Sequence, residues 1–154
     1  MSVEFTLLLM AHPPDVVRRM SDELWASTRF ARARELRAVD WVCHACEPDA
    51  APEAAALLSA FPATELTGWY SFGSDDEEGT AMASVVLMAA ECAVRLDAEA
   101  LLTYQDEEWV FYRRDGVIGL SEEYARSLGE AAVLFPQPWV AVPSVKEFER
   151  TRRG

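Results

Sequence analysis

The sequence predicts an α+β fold, a single domain in which a mostly antiparallel sheet packs on a long central helix (about residues 75–96) with a C-terminal β-meander. Apolar residues from Met82 to Leu96 recur at the spacing of one helix face. The segments 99–105 and 109–114 alternate as strands do, and Asp115-Gly116 between 114 and 117 is a preferred two-residue hairpin turn. We expect one domain over 1–154, with a core unit at 66–120 and a strap and tail at 121–154.

The start of the central helix is marked by polar residues. Ser74 and Asp75 can accept hydrogen bonds from the first free N–H groups. The acids that follow, Asp76, Glu77 and Glu78, lie at the positive end of the helix dipole. The interruptions at Ser84 and Glu91 exclude a membrane span.

Before this helix, the apolar segment 3–10 predicts a strand that is covered on both faces. Asp15 is positioned to cap a helix of about a dozen residues, whose expected buried stripe is Val16, Val17, Met20 and Leu24. Further predicted elements are a strand at 39–47, a short helix at 53–61 and a strand from 67.

In the meander, alternation places Trp109, Phe111 and Arg113 on one face of a strand. Ser121 is a candidate cap for a short helix that stops at Gly129. The apolar runs 131–135 and 139–142 suit edge strands or an extended strap, and 144–153 suits a final helix.

The formal charge of −12 is concentrated in the middle of the chain. Residues 41–135 carry four Arg against eighteen acids. Such a field repels nucleic-acid phosphate and attracts basic partners, so we expect no direct nucleic-acid binding. Solubility of an apolar-rich chain explains the acids without any partner. The absence of a signal-like or membrane-spanning segment predicts a cytoplasmic protein.

Cys43-His44-Ala45-Cys46 resembles a metal or redox motif. In a strand, Cys43 and Cys46 point to opposite faces and cannot hold one ion. Buried thiols are the simpler interpretation. Walker, GxSxG and HExxH patterns are missing from the sequence. We therefore predict no enzyme, no catalytic residue, no metal and no cofactor.

The four arginines at 29, 32, 34 and 37 allow two interpretations. One is a nucleic-acid patch, and the other is a solvated segment balanced by nearby acids. Phe30 is the only aromatic residue among them, so the base-stacking platform of a nucleic-acid site is not supported.

Two acidic segments exceed what local structure needs. One is the helix entry Asp75, Asp76, Glu77 and Glu78, and the other is the turn Asp106, Glu107 and Glu108, which Trp109 follows. Acids beside a large aromatic residue are ingredients of a protein interface. We predict these eight residues as partner contacts; capping, turn formation and core packing are the structural alternatives.

The central unit resembles the Sit-type immunity proteins, which protect bacteria against polymorphic toxins. The resemblance lies in the strand end Tyr70-Ser71-Phe72, the acidic helix entry ending in Glu78-Gly79, the long helix, the apolar strand at Leu101-Leu102 and the hairpin Arg113 to Gly116. It covers about 66–120 well and 3–10 loosely. The helix at 50–62 and everything after Ser121 depart from the pattern.

The resemblance implies a non-enzymatic cytoplasmic protein that binds one cognate toxin and blocks it. The acidic middle of the chain agrees with a basic toxin, for instance a nuclease. A second hypothesis is an accessory subunit, such as a homo-oligomeric scaffold that uses the strap at 131–143. A third is a thiol- or metal-dependent enzyme built on Cys43, His44 and Cys46.

Overall fold

One mixed β-sheet and four α-helices make up the part of the chain that the computed structural model describes, residues 2–10, 12–31, 39–45, 63–71, 75–105 and 107–153. The strands are β1 (Ser2–Met10), β2 (Val39–Ala45), β3 (Ala63–Ser71), β4 (Ala100–Tyr104), β5 (Glu108–Arg114), β6 (Val117–Ser121) and β7 (Trp139–Val142). The helices are α1 (Pro14–Trp25), α2 (Asp75–Arg95), α3 (Glu122–Leu128) and α4 (Val145–Arg153), and 3-10 turns form at Thr28–Phe30 and Gly129–Leu134.

The sheet has the strand order β2-β3-β1-β4-β5-β6-β7. Every neighbouring pair is antiparallel except β6 and β7, which run parallel. The first strand in the chain therefore lies inside the sheet, between β3 and β4. This arrangement confirms the predicted α+β class.

Apolar side chains fill both faces of the sheet. On one face, strand residues such as Phe5, Leu7 and Leu102 pack with α1, α2 and α3 in the main core. On the other face, α4 covers a smaller cluster. Its members are Leu8, Met10, Leu101, Trp109, Tyr112 and Val145, with Val142 and Phe148 packed against them.

The central helix is less dominant than predicted. Side chains are described for residues 82–95 of α2, about 14 residues, and this is the stretch that the structure places in the core. Its buried members include Val85, Met88 and Cys92. A single long helix under the sheet is therefore not supported, because α1 and α3 share its layer and contribute to the same core.

The end of α2 is a Schellman motif, which the sequence analysis missed. Asp97 has a φ of 48°, its N–H donates to the Val94 carbonyl, and the Ala98 N–H donates to the Ala93 carbonyl. These bonds satisfy carbonyls that the helix leaves free. They also turn the chain directly into β4.

A β-bulge changes the predicted faces of β5. The register pairs Leu102 with Phe111 but Thr103 with Trp109, so Val110 is the extra residue. Val110 and Phe111 both reach the main core, whereas Trp109 joins Tyr112 under α4. The predicted shared face of Trp109 and Phe111 is therefore wrong.

Several boundary predictions also need correction. Pro13, not Asp15, occupies the N-cap position of α1, and Val16 is 37% exposed. Ser121 precedes α3 without a side-chain capping bond. The run 131–135, expected as an edge strand or an extended strap, lies mostly within the 3-10 turn Gly129–Leu134. The predicted helix at 53–61 lies outside the described residues.

The hairpin prediction is confirmed. Asp115 and Gly116 have φ values of 54° and 79°, as a type I′ turn requires, and they join β5 to β6. Among the described helices, none combines the length and the apolar character that crossing a bilayer would require.

Candidate functional site

The strands that lead into the two acidic segments end at the same end of the sheet, which we call the acidic end. The register pairs Ser2 with Ser71 on one side of β1 and Phe5 with Tyr104 on the other. The end of β3, which leads to α2, and the end of β4, which leads to the acidic turn, therefore flank the same end of β1. Two strand spacings separate these ends across the sheet, and the register offsets them by three residues along β1, so Ser71 and Tyr104 lie roughly 14 Å apart.

Gln105 fixes the acidic turn to β1. Its N–H donates to the Glu4 carbonyl at 2.9 Å, and its side-chain oxygen accepts the Glu4 N–H at 2.9 Å. Gln105 has a φ of 54°, which turns the chain at this point. The Glu107 N–H then donates to the Tyr104 carbonyl at 3.1 Å. These bonds attach the described backbone of the turn to β1, and the side chains of Glu107 and Glu108 are exposed.

Glu108 lies beside a second carboxylate, from α3. Partial burial raises the pKa of Glu108, the neighbouring Glu123 raises it further, and a hydrogen bond from Tyr124 opposes the rise. The Tyr124 hydroxyl lies 3.5 Å from the Glu108 carboxylate. The neighbouring Glu123 carboxylate therefore disfavours the charged form of Glu108, although the first turn of α3 is itself a favourable position for Glu123.

Further acids and helix starts surround this pair. α2, α3 and α4 follow β3, β6 and β7, which end at this end of the sheet, so three helices begin here. The first turn of each helix carries the positive end of the helix dipole, which stabilises nearby carboxylates. The exposed acids of the acidic end whose side chains are described are Glu4, Glu107, Glu108, Glu122, Glu123 and Glu147.

Trp109 has a different position from the one expected of an interface anchor. It is 8% exposed and packs in the cluster beneath α4. The Lys146 ammonium lies 5.5 Å from the centre of its ring. Its role in this structure is to anchor the root of the acidic turn to the core, next to a cation.

The remaining predicted contacts are only partly described. Asp75, Asp76, Glu77 and Glu78 form the first turn of α2, which places their backbone near the acidic end; their side chains lie outside the described part. Asp106 lies outside the described residues altogether.

At the opposite end of the sheet lies an open cleft of about 520 Å³ that sequence reasoning did not identify. It is lined by Asp97, Glu99, Arg113, Arg114, Asp115 and Gly116. The Arg-Arg-Asp-Gly hairpin was visible in the sequence, but the acids come from the α2–β4 connection. Their approach to the hairpin depends on the register of β4 with β5. The mixed charges offer no clear selectivity for a cation or an anion.

The cysteines behave as core residues. The Cys43 thiol lies 3.5 Å from the Pro14 carbonyl, and burial raises its pKa. Burial raises the pKa of Cys92 to about 12. Neither thiol is activated as a nucleophile. Cys46 and the side chain of His44 lie outside the described part, within which no three potential ligands come together for a metal ion.

Arg29 makes structural contacts. Its guanidinium forms an ion pair with Glu91 on α2 and donates to the Leu134 carbonyl. These bonds tie the 3-10 turn Gly129–Leu134 to the helix layer. They favour the structural interpretation of this arginine, while residues 32–37 lie outside the described part.

Comparison with known proteins identifies no relative: no family model, no curated protein and no solved structure matches the chain.

Proposed function

We propose that this chain is a cytoplasmic, non-enzymatic immunity protein that binds a basic toxin domain through the acidic end of the sheet. The observation that carries the proposal is the register, which brings the start of α2 and the β4–β5 turn to the same end of β1. Two acidic segments that are about thirty residues apart in sequence thereby lie at the same end of the sheet, which supports their use as one binding surface. The resemblance to the Sit-type immunity proteins supports the same function.

The carboxylate pair of Glu108 and Glu123 adds to this argument. Repulsion between them is a cost to the isolated protein, and a cationic partner would remove that cost on binding. A toxin that acts on nucleic acid presents such cations, because it must bind phosphate. The acidic end would then occupy the surface that otherwise receives the phosphates.

Recognition would depend on charge and on a rigid backbone. The bonds between Gln105 and Glu4 attach the start of the acidic turn to β1 before binding. A preorganised surface loses less conformational entropy on association. Exposed acids at its rim would mainly increase the association rate, so binding should weaken as salt increases.

The test is co-expression with the reading frame directly upstream in the native genome, which the proposal expects to encode a basic toxin. Expression of that toxin alone should stop growth, and this chain should restore it. The variant Glu107→Gln/Glu108→Gln should weaken binding roughly tenfold at low salt, since two rim charges are lost. The matched control is Asp97→Asn/Asp115→Asn, which removes two exposed acids at the opposite end of the sheet.

The proposal is overturned if the upstream product is harmless. It also fails if the Gln variant protects and binds as well as the Asn control does. If binding by the wild-type chain does not weaken as salt increases, the interface lies outside the acidic end.

The accessory-subunit hypothesis has one observation in its favour. Val133, Leu134 and Val140 are 86%, 51% and 47% exposed near the last strand. A stable assembly without any toxin partner would favour that function.

A further inference from the structure

β7 is an edge strand in uncharged surroundings. Its one neighbour in the described sheet is β6. Residues 131–145, which include β7, contain no Asp, Glu, Lys or Arg, although 26% of the whole chain is charged. The edge therefore differs sharply from the rest of this acidic protein.

The parallel pairing with β6 determines which main-chain groups of β7 point outward. The Ile118 N–H donates to the Pro138 carbonyl at 3.2 Å, and Ile118 is level with Trp139. Alternate residues face the neighbour, so Val140 and Val142 direct their N–H and C=O groups towards β6. Trp139 and Ala141 direct theirs to the free edge.

Ala141 is the centre of that edge. The Trp139 N–H is turned to the Gln137 side chain at 3.3 Å. Pro143 has no N–H to offer. Within β7, Ala141 alone then presents both an N–H and a C=O outward, and neither has a partner among the described residues.

We propose that β7 pairs antiparallel with β7 of a second copy of this chain, centred on Ala141, so that the two sheets become continuous. In this register Ala141 exchanges two hydrogen bonds with Ala141 of the second copy, across a twofold axis. Trp139 lies opposite Pro143 of the second copy, where its N–H can move from Gln137 to the proline carbonyl.

The side chains suit the same register. Val140 is 47% exposed and lies on the face that carries Val142 and α4. Across the twofold axis it faces Val142 of the second copy, a cross-strand apolar pair. The prolines on both sides, Pro138 and Pro143, limit the pairing to this short stretch.

The self-complementary register favours a second copy as the occupant, because Ala141 meets Ala141 and Val140 meets Val142 across one twofold axis. Two molecules that each carry −12 repel one another over most of their surfaces. The stretch 131–145 adds no charge of its own, so it is a place where two copies can approach closely. A basic partner would gain nothing from an uncharged edge. The acidic ends of the two copies would point in opposite directions and stay accessible, so the inference stands independently of the proposed function.

Sedimentation equilibrium of the purified full chain tests the pairing. The wild type should show a mass of twice 17.2 kDa at high concentration and dissociate on dilution. Ala141→Pro removes the outward N–H and should weaken association at least ~tenfold. The control Val16→Lys changes an exposed valine on α1 and should leave association unchanged. Circular dichroism and thermal unfolding verify that both variants are folded.

A second variant tests the register directly and does not require the fold to accept a proline at position 141. Hydrogen-bonded antiparallel partners have Cα atoms about 5.5 Å apart, within disulfide range. Ala141→Cys should therefore give a covalent dimer on mild oxidation, whereas Val16→Cys and the wild type, with its three native cysteines, should not. A wild type that is monomeric at every concentration overturns the proposal. So does a dimer that forms equally well with Ala141→Pro and does not crosslink through Ala141→Cys.

Discussion

The Arg113 guanidinium donates to the Asp97 carboxylate at 2.9 Å, although the arginine side chain is 7% exposed and the aspartate 86%. The pair joins β5 to the Schellman motif that ends α2. Arg113 also donates to the Ala98 carbonyl at 2.9 Å, in a buried position. The two bonds hold the helix end against the sheet.

We expect Arg113 to contribute much more to the free energy of unfolding than Asp97 does. Arg113→Ala leaves the Ala98 carbonyl without its donor and opens a cavity, so the free energy of unfolding should fall by about 3 kcal/mol. Asp97→Asn keeps a residue that tolerates positive φ and removes only a solvent-screened charge, which should cost less than about 1 kcal/mol. Urea unfolding measures both values. Equal losses would contradict this account.

Gly119 is required for α4 to dock. A Cβ atom there would lie 2.3 Å from the Phe148 ring. Gly119→Ala should therefore destabilise the protein by about 1–3 kcal/mol, because α4 must shift. In the background Phe148→Ala the same change should have little effect, since the clash is gone. A double-mutant cycle measures this coupling, and strictly additive losses would show that Phe148 does not contact this position.

Cys92 should make the fold sensitive to alkali. Burial raises its pKa from 9.0 to about 12 in the folded state, so the unfolded chain loses this proton first as pH rises. The stabilisation is complete below pH 9 and is lost as pH rises from 9 towards 12, with a slope of about 1.4 kcal/mol per pH unit from this group. Cys92→Ala should unfold with a shallower pH dependence over that window. The same slope in both proteins would contradict the assignment.

Glu108 and Glu123 should destabilise the protein slightly when both are charged. Because the folded-state pKa of Glu108 is raised, its ionisation above that pKa opposes folding. Glu123→Gln should lower the pKa of Glu108 towards its ordinary value and should increase thermal stability more at pH 7 than at pH 3, because the repulsion requires an ionised Glu108. Carbon-13 titration of the carboxyl group measures the pKa shift. Glu122→Gln, a change at the preceding exposed acid, is the control.

Sequence patterns predict the structure correctly where a segment determines its own conformation. The hairpin at Asp115-Gly116 needs positive φ at two residues, and few dipeptides allow it. The alternation in β4 and the apolar face of α2 also have local causes. By contrast, the bulge at Val110 is set by how β4 and β5 pack on two different cores, and strict alternation cannot predict it.

The prediction for residues 131–135 was wrong for another reason. A short apolar run suits a strand or a buried helix equally well, and only tertiary contacts choose between them. Here the Arg29 bond to the Leu134 carbonyl and the contact of Phe135 with Phe111 favour the 3-10 turn. Arg29 is about a hundred residues distant in sequence, so no local signal indicates this contact.

The candidate site was half visible in the sequence. The acidic segments are evident from composition, but their placement at the same end of the sheet depends on the insertion of β1 between β3 and β4. Glu123 was interpreted only as a first-turn acid of its helix. Its approach to Glu108 follows from the pairing of β5 with β6, which brings the start of α3 beside the start of β5.

The place of β1 inside the sheet also governs when folding can finish. Its two neighbours are β3, which ends at Ser71, and β4, which ends at Tyr104. During synthesis, about a hundred residues must therefore be made before both edges of β1 can pair. Contacts so distant in sequence slow folding and leave an aggregation-prone strand exposed meanwhile. The nascent chain should thus depend on chaperones until β4 has left the ribosome. Variants that weaken β4 should lower the soluble yield even where the free energy of unfolding of the purified protein changes little.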